Sequence, residues 1–210
     1  MWPIQLPHRL QQAWWHWQLK DPAYQFLFGP VHSDEVVCFD CETTGLDPKQ
    51  DKIVTLSAIK IRGREILTSE SLNLQFKQQR DINPESILIH QLRNMDVTVG
   101  LDERDAIDQF LTFIGSRPLV GYYLSFDVGM VNAVVKPWLG IRLPNPQLDV
   151  AELYHQQFYQ DWLQPDHEVF DLSFKTMLAK LNLPTLGQHD AFNDALMTAM
   201  IYVKLQANRD

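Results

Sequence analysis

The chain has 210 residues, 45% of them hydrophobic and 21% charged, with 12 Pro, 9 Gly and two Cys. Such a chain can bury the core of one large domain; it is too apolar for disorder, too poor in cysteine for a disulfide-stapled secreted scaffold, and lacks the ~20-residue apolar run of a membrane span. Its net charge of −8, from 18 Lys+Arg against 26 Asp+Glu, argues against a protein that coats duplex DNA through many cationic contacts, yet leaves open chemistry on nucleic acid through bound divalent cations.

Met1-Trp2-Pro3-Ile4 opens no charged-then-apolar secretory pattern, so the expected location is the cytoplasm, with no membrane partner. Leu10, Trp14 and Trp17 then fall on one face of a helix, which Asp21-Pro22 interrupts. A short segment, Ala23–Phe28, follows and ends at Gly29-Pro30. Residues 1–30 read as a helical, Trp-rich N-terminal extension, and residues 31–210 as the main domain. Two readings of the extension stand: an arm folded back on the main domain, or a docking surface for a protein partner.

From Glu35 the texture changes to strands. Glu35–Cys41, Lys52–Ile61 and Arg64–Phe76 are rich in Val, Ile, Leu and Thr, with a hairpin turn expected at Arg62-Gly63. Leu101–Gly115 reads as a helix with an Ile107, Phe110, Leu111, Ile114 stripe, and Leu119–Tyr123 as a short strand. Ser125 is placed to cap a helix in which Asp127, Met130, Val131 and Val134 share a face. Gln147–Val150 reads as another strand, and Leu172–Leu181 and Ala191–Leu205 as helices, the last apolar nearly all round and therefore expected to be buried. Three hairpin-linked strands followed by alternating helix and strand predict an α/β fold: a mixed sheet, antiparallel then parallel, flanked by helices.

Three runs carry chemistry. In Val36–Leu46, Asp40 and Glu42 alternate with apolar residues, so both carboxylates leave the strand on one face. Two carboxylates there repel each other and are expensive to desolvate, and a bound cation is the simplest reason to keep them together; a solvated strand end is the plainer alternative. Cys38 and Cys41 form C-x-x-C, but three positions apart on a strand they face opposite sides and do not converge on a metal or a disulfide. In the second run, Leu119–Asp127, Asp127 lies in the first turn of a helix, where a carboxylate also complements the helix dipole. In the third, Asp194 sits inside an apolar, alanine-rich helix, and His189 precedes it on a loop.

Asp40-x-Glu42 followed by Thr-Thr-Gly-Leu, the segment Gly-Tyr-Tyr-Leu-Ser-Phe-Asp127, and His189-x-x-x-x-Asp194 together resemble the three exonuclease motifs of the DEDDh 3′–5′ exonuclease family. The resemblance spans residues 35–205 and is strongest to the proofreading epsilon subunit of bacterial DNA polymerase III and its stand-alone relatives. It implies a ribonuclease H-like fold, with Asp40, Glu42, Asp127 and Asp194 as ligands of two Mg²⁺ or Mn²⁺ ions and His189 as general base. It also implies hydrolysis of single-stranded nucleic acid from the 3′ end, DNA ahead of RNA, releasing nucleoside 5′-monophosphates. Thr43, Thr44, Leu46, Glu85 and His90 match positions that contact the terminal nucleotide in relatives, whereas Asp149, followed here by Val150, is read as structural. The alternatives are an exoribonuclease of the same family and a non-catalytic interaction module that keeps the fold.

Overall fold

The computed structural model describes residues 8–30, 34–78, 100–159, 170–187 and 190–207, with side chains from residue 12 onward. Its centre is a five-stranded sheet in the order β3-β2-β1-β4-β5. The strands are β1 (Glu35–Thr43), β2 (Ile53–Arg62), β3 (Glu65–Gln75), β4 (Leu119–Gly121) and β5 (Gln147–Asp149). β1, β2 and β3 pair antiparallel, while β1, β4 and β5 run parallel, as the sequence pattern predicts. The β2–β3 turn falls on Gly63-Arg64, one residue later than expected, because Arg62 pairs with Glu65 and the positive φ of 57° belongs to Gly63.

Both faces of the sheet are covered. On one, Val37, Phe39 and Leu56 meet α2 (Glu103–Ile114) and α3 (Ser125–Leu139) through Phe110, Leu111, Val131 and Val135. On the other, Cys38, Ile61 and Val120 meet α4 (Val150–Phe158), α5 (Phe174–Lys180) and α6 (Ala191–Ala207). Cys38 and Cys41 therefore point into opposite cores, both as buried free thiols. α6 crosses β1 on its small side chains: Ala195 and Ala199 are fully buried, and the Cys38 thiol donates to the Ala195 carbonyl at 3.2 Å. Larger residues there would hold the helix away from the strand.

The N-terminal segment comprises α1 (His8–Gln18) and a 3-10 helix (Pro22–Phe28) whose start is capped by Asp21 Oδ1, which accepts the Ala23 N–H at 3.0 Å. Tyr24 and Leu27 are buried in the first core, and the Lys20 N–H donates to the Leu139 carbonyl at 3.0 Å. The face of α1 turned inward is not the expected one. Trp14 and Trp17 are 49% and 81% exposed, whereas Trp15 packs on the core and the Gln12 amide donates to the Pro144 carbonyl at 3.2 Å. Fixing the end of α1 on Leu139 rotates the Gln12–Trp15 side inward, an orientation that periodicity within one helix does not report. Among the described residues no helix is long and apolar enough to cross a membrane.

Candidate active site

Side-chain parity on β1 does what the sequence implies. Oxygens of Asp40, Glu42 and Asp194 all lie within 4.8 Å of one another, the first two from the C-terminal end of β1 and the third from the first turn of α6. A register shift after Glu42, where Val54 is the extra residue on β2, bends the sheet edge just beyond the two carboxylates.

Asp127 is buried beside this triad rather than within it. Its Oδ1 accepts the Cys41 N–H at 3.1 Å, which ties the first turn of α3 to the middle of the Asp40–Glu42 segment. The chain reaches that position through a sharp corner. β4 stops at Gly121 instead of running to Tyr123, and Tyr123 takes a left-handed φ of 49°. A Cβ at Gly121 would meet Leu124 Cδ1 at 2.7 Å, so the corner requires glycine. Ser125 does not cap α3; the cap position is Leu124, whose N–H donates to Asp149 Oδ2 at 2.9 Å. The other oxygen of Asp149 accepts the Ala151 N–H at 2.9 Å and starts α4, a helix the sequence reading left unassigned. Asp149 is thus structural, as expected: it joins two helix starts across the parallel edge of the sheet.

The pocket is hostile to its own charges. Burial, then the Asp127, Asp194, Glu42 and Asp190 charges, hold the Asp40 carboxyl well above the usual carboxylate range. Burial followed by Asp194 and Asp190 pushes Glu42 up to about 7. Asp127 is pushed up to about 8 by burial, against the pull of hydrogen bonds from the Cys41 and Asp127 backbone and the Cys41 side chain. Among the described residues, the charges acting on Asp40 and Glu42 are other carboxylates. The donor set is all oxygen and strongly anionic, which fits hard divalent cations such as Mg²⁺ or Mn²⁺. Asp190 is a member that sequence reasoning passed over. Its Oδ1 also accepts the Asn193 N–H at 3.0 Å, so it caps α6, and an Asp immediately before an alanine-rich helix was the signal for that.

The loop after β1 is braced from within. Thr43 Oγ1 donates to the Gly45 carbonyl at 2.7 Å, Thr44 Oγ1 donates to Asp51 Oδ1 at 3.1 Å, and the Thr44 N–H donates to the Lys52 carbonyl at 2.9 Å. A Cβ on Gly45 would lie 2.5 Å from Asp51 Oδ2, so any larger residue there must displace that carboxylate. The loop holds Leu46 83% exposed at the edge of the pocket-bearing strand. Of the other expected residues, Glu85, His90 and His189 lie outside the described residues.

A mixed sheet with acidic residues converging on the end of its central strand defines a nuclease of ribonuclease H-like fold. The Exonuclease family model, of the RNase T type, matches residues 37–202, and the chain belongs to this exonuclease family. Among its relatives, the "DNA polymerase III PolC-type" of Latilactobacillus sakei is 30% identical over 84% of this chain, a stretch that makes up 12% of that protein. The "DNA polymerase III subunit epsilon" of Aquifex aeolicus is 26% identical over 80% of this chain and 79% of its own length. The fold is shared with solved exonucleases at 15% identity. Escherichia coli exonuclease I in complex with a dT13 oligonucleotide covers 84% of this chain and 42% of its own, with a TM-score of 0.67. Cell-death related nuclease 4 covers 85% and 65%, with a TM-score of 0.70. The chain therefore spans a small part of the PolC-type relatives and most of the epsilon-type one.

Proposed function

We propose that this chain is a divalent-metal-dependent 3′–5′ exonuclease that hydrolyses phosphodiester bonds at single-stranded DNA ends and releases nucleoside 5′-monophosphates. The observation that carries this reading is the convergence of Asp40, Glu42 and Asp194 oxygens within 4.8 Å, in a pocket whose charged neighbours among the described residues are acidic. Asp40, Glu42, Asp127 and Asp194 would hold two Mg²⁺ or Mn²⁺ ions, which supply an activated water and neutralise charge on the phosphate and the leaving oxygen.

Within that frame the protein's own groups divide the work. Asp40 has the Asp127, Asp194 and Glu42 carboxylates as charged neighbours and would be one of the ligands. Cys41 N–H fixes the orientation of Asp127, and the close seating of Ala195 on Cys38 fixes that of Asp194. His189 would take the proton from the attacking water as general base. Thr43 and Thr44 hold the loop so that Leu46 meets the terminal base, and Glu85 and His90 contact the terminal nucleotide. Residues 31–210 form the catalytic domain, and residues 1–30 are its extension.

Digestion of 5′-labelled single- and double-stranded DNA and RNA, with Mg²⁺ or Mn²⁺ and with chelator, tests the reading. A metal-dependent ladder shortening from the 3′ end of single-stranded DNA is expected. Degradation of RNA alone would move the substrate assignment to an exoribonuclease. Failure of the purified protein to shorten any end with Mn²⁺ would leave an interaction module.

A further inference from the structure

A groove of about 880 Å³ runs along α3 away from the carboxylates. Ser125, Gly129, Asn132 and Lys136 line its floor at spacings of four, three and four residues, one face of the helix over about 16 Å. Its near end is at the catalytic end of the fold, since Ser125 is two residues before Asp127 and a Cβ on Gly129 would stand 3.6 Å from Pro48 of the loop that carries Leu46. The far wall is built by the N-terminal extension: Trp14, Trp15 and Gln18, with the end of α1 seated so tightly that a Cβ on Gly140 would lie 3.0 Å from the Gln18 carbonyl.

The chemistry of this groove is opposite to that of the molecule. The chain carries 26 Asp+Glu and a net charge of −8, yet none of the described residues lining the groove is acidic, while Lys136 and Arg142 both line it. Both cations are exposed, and neither forms an ion pair among the described residues, whereas Lys52, Lys60, Arg62 and Arg117 each do. Asn132 uses its Oδ1 to hold the Leu143 N–H at 2.8 Å, which leaves its amide donors to the groove it lines. Trp14 contributes a large, half-exposed aromatic face. Unpaired cations, amide donors and an open indole, with no carboxylate, make a site for a flexible polyanion carrying flat rings.

Resting on the exonuclease reading above, we propose that this groove binds the single strand upstream of the 3′ terminus. Lys136 and Arg142 meet its phosphates and Trp14 stacks on a base. The extension thus serves as the outer wall of a substrate channel and makes the enzyme sensitive to substrate length.

The test compares a (dT)12 with a (dT)3 strand, the latter too short to fill both the catalytic pocket and the groove. Binding is measured by fluorescence anisotropy on the full chain carrying Asp40→Ala, so that no strand is cut. In that background Trp14→Ala weakens (dT)12 binding about tenfold, and Lys136→Gln with Arg142→Gln lowers the slope of log affinity against log salt by about 1.4. With Asp40 restored, these variants raise KM for (dT)12 and change hydrolysis of (dT)3 less than about twofold. Unchanged affinity and salt slope would overturn the groove while leaving the exonuclease reading intact, provided the unsubstituted chain still digests both strands. A chain that cuts nothing, but whose (dT)12 affinity drops in the groove variants, would overturn the exonuclease reading and keep the groove as a nucleic-acid site.

Discussion

The two ends of β1 each bury carboxylates and treat them in opposite ways. At the first residue, Glu35 is clasped by Arg117 Nε at 2.6 Å and by Arg62 at 2.8 Å, and these two guanidiniums hold its carboxyl down to about 2. At the other end, Asp40 and Glu42 face Asp194 and Asp127, and burial and like charge drive their carboxyls up. The first arrangement is complete as it stands: its charge is matched inside the fold. The second stores repulsion that a bound cation would relieve, the contrast expected between a structural carboxylate and a metal-binding one on the same strand.

The contrast predicts opposite responses to the loss of one carboxylate. Asp40→Ala should lower exonuclease activity by about 10³-fold or more while the melting temperature in chelator stays level or rises, because the substitution removes repulsion along with a ligand. Activity within tenfold of the unsubstituted protein would show the functional end to be misassigned. Glu35→Gln should do the reverse. Two arginines left facing a neutral amide cost about 3 kcal/mol, a fall in melting temperature of roughly 6–12 °C, with activity per folded molecule retained.

Acid and base should likewise separate the two ends. Glu35 has a depressed carboxyl, so its stabilisation is present above its unfolded value of 4.5 and is lost as pH falls toward 2. Glu42 and Asp127 have raised carboxyls, so without divalent cations the fold loses stability as pH climbs from about 4 through their values of about 7 and about 8. Thermal melts in chelator should therefore be highest near the foot of that range, and the stabilisation by Mn²⁺ should grow from pH 5 to pH 8. A Mn²⁺ effect independent of pH would contradict the stored repulsion. The smallest expected effect belongs to the loop beyond the functional end. Gly45→Ala places a methyl against Asp51, which should cost about 1 kcal/mol and raise KM several-fold with kcat less affected, measured on a single-stranded oligonucleotide.

The functional end was the more legible of the two in the sequence, for a physical reason. Strand alternation is a local rule, so Asp40 and Glu42 on one face follow from position alone, and the alanine-rich register around Asp194 announces a helix meant to approach something closely. Glu35 passed unremarked because its partners, Arg62 and Arg117, come from β2 and from the turn after α2, a meeting that only the folded sheet defines. The same holds for the start of α3, where the cap position falls on Leu124, held by Asp149 of a neighbouring strand, and not on Ser125. The turned-in face of α1 and the helix after Asp149 were missed on like grounds: each is fixed by a contact from elsewhere in the chain, whereas the mixed sheet, antiparallel then parallel, followed from element type and connection length.

The seating of α6 on β1 has a consequence for how the protein comes into being. Asp40 and Glu42 leave the ribosome well before Asp194, so the pocket lacks one wall until α6 has been made. The second core lacks Met197, Ile201 and Leu205 until then, so one docking event completes both that core and the carboxylate cluster.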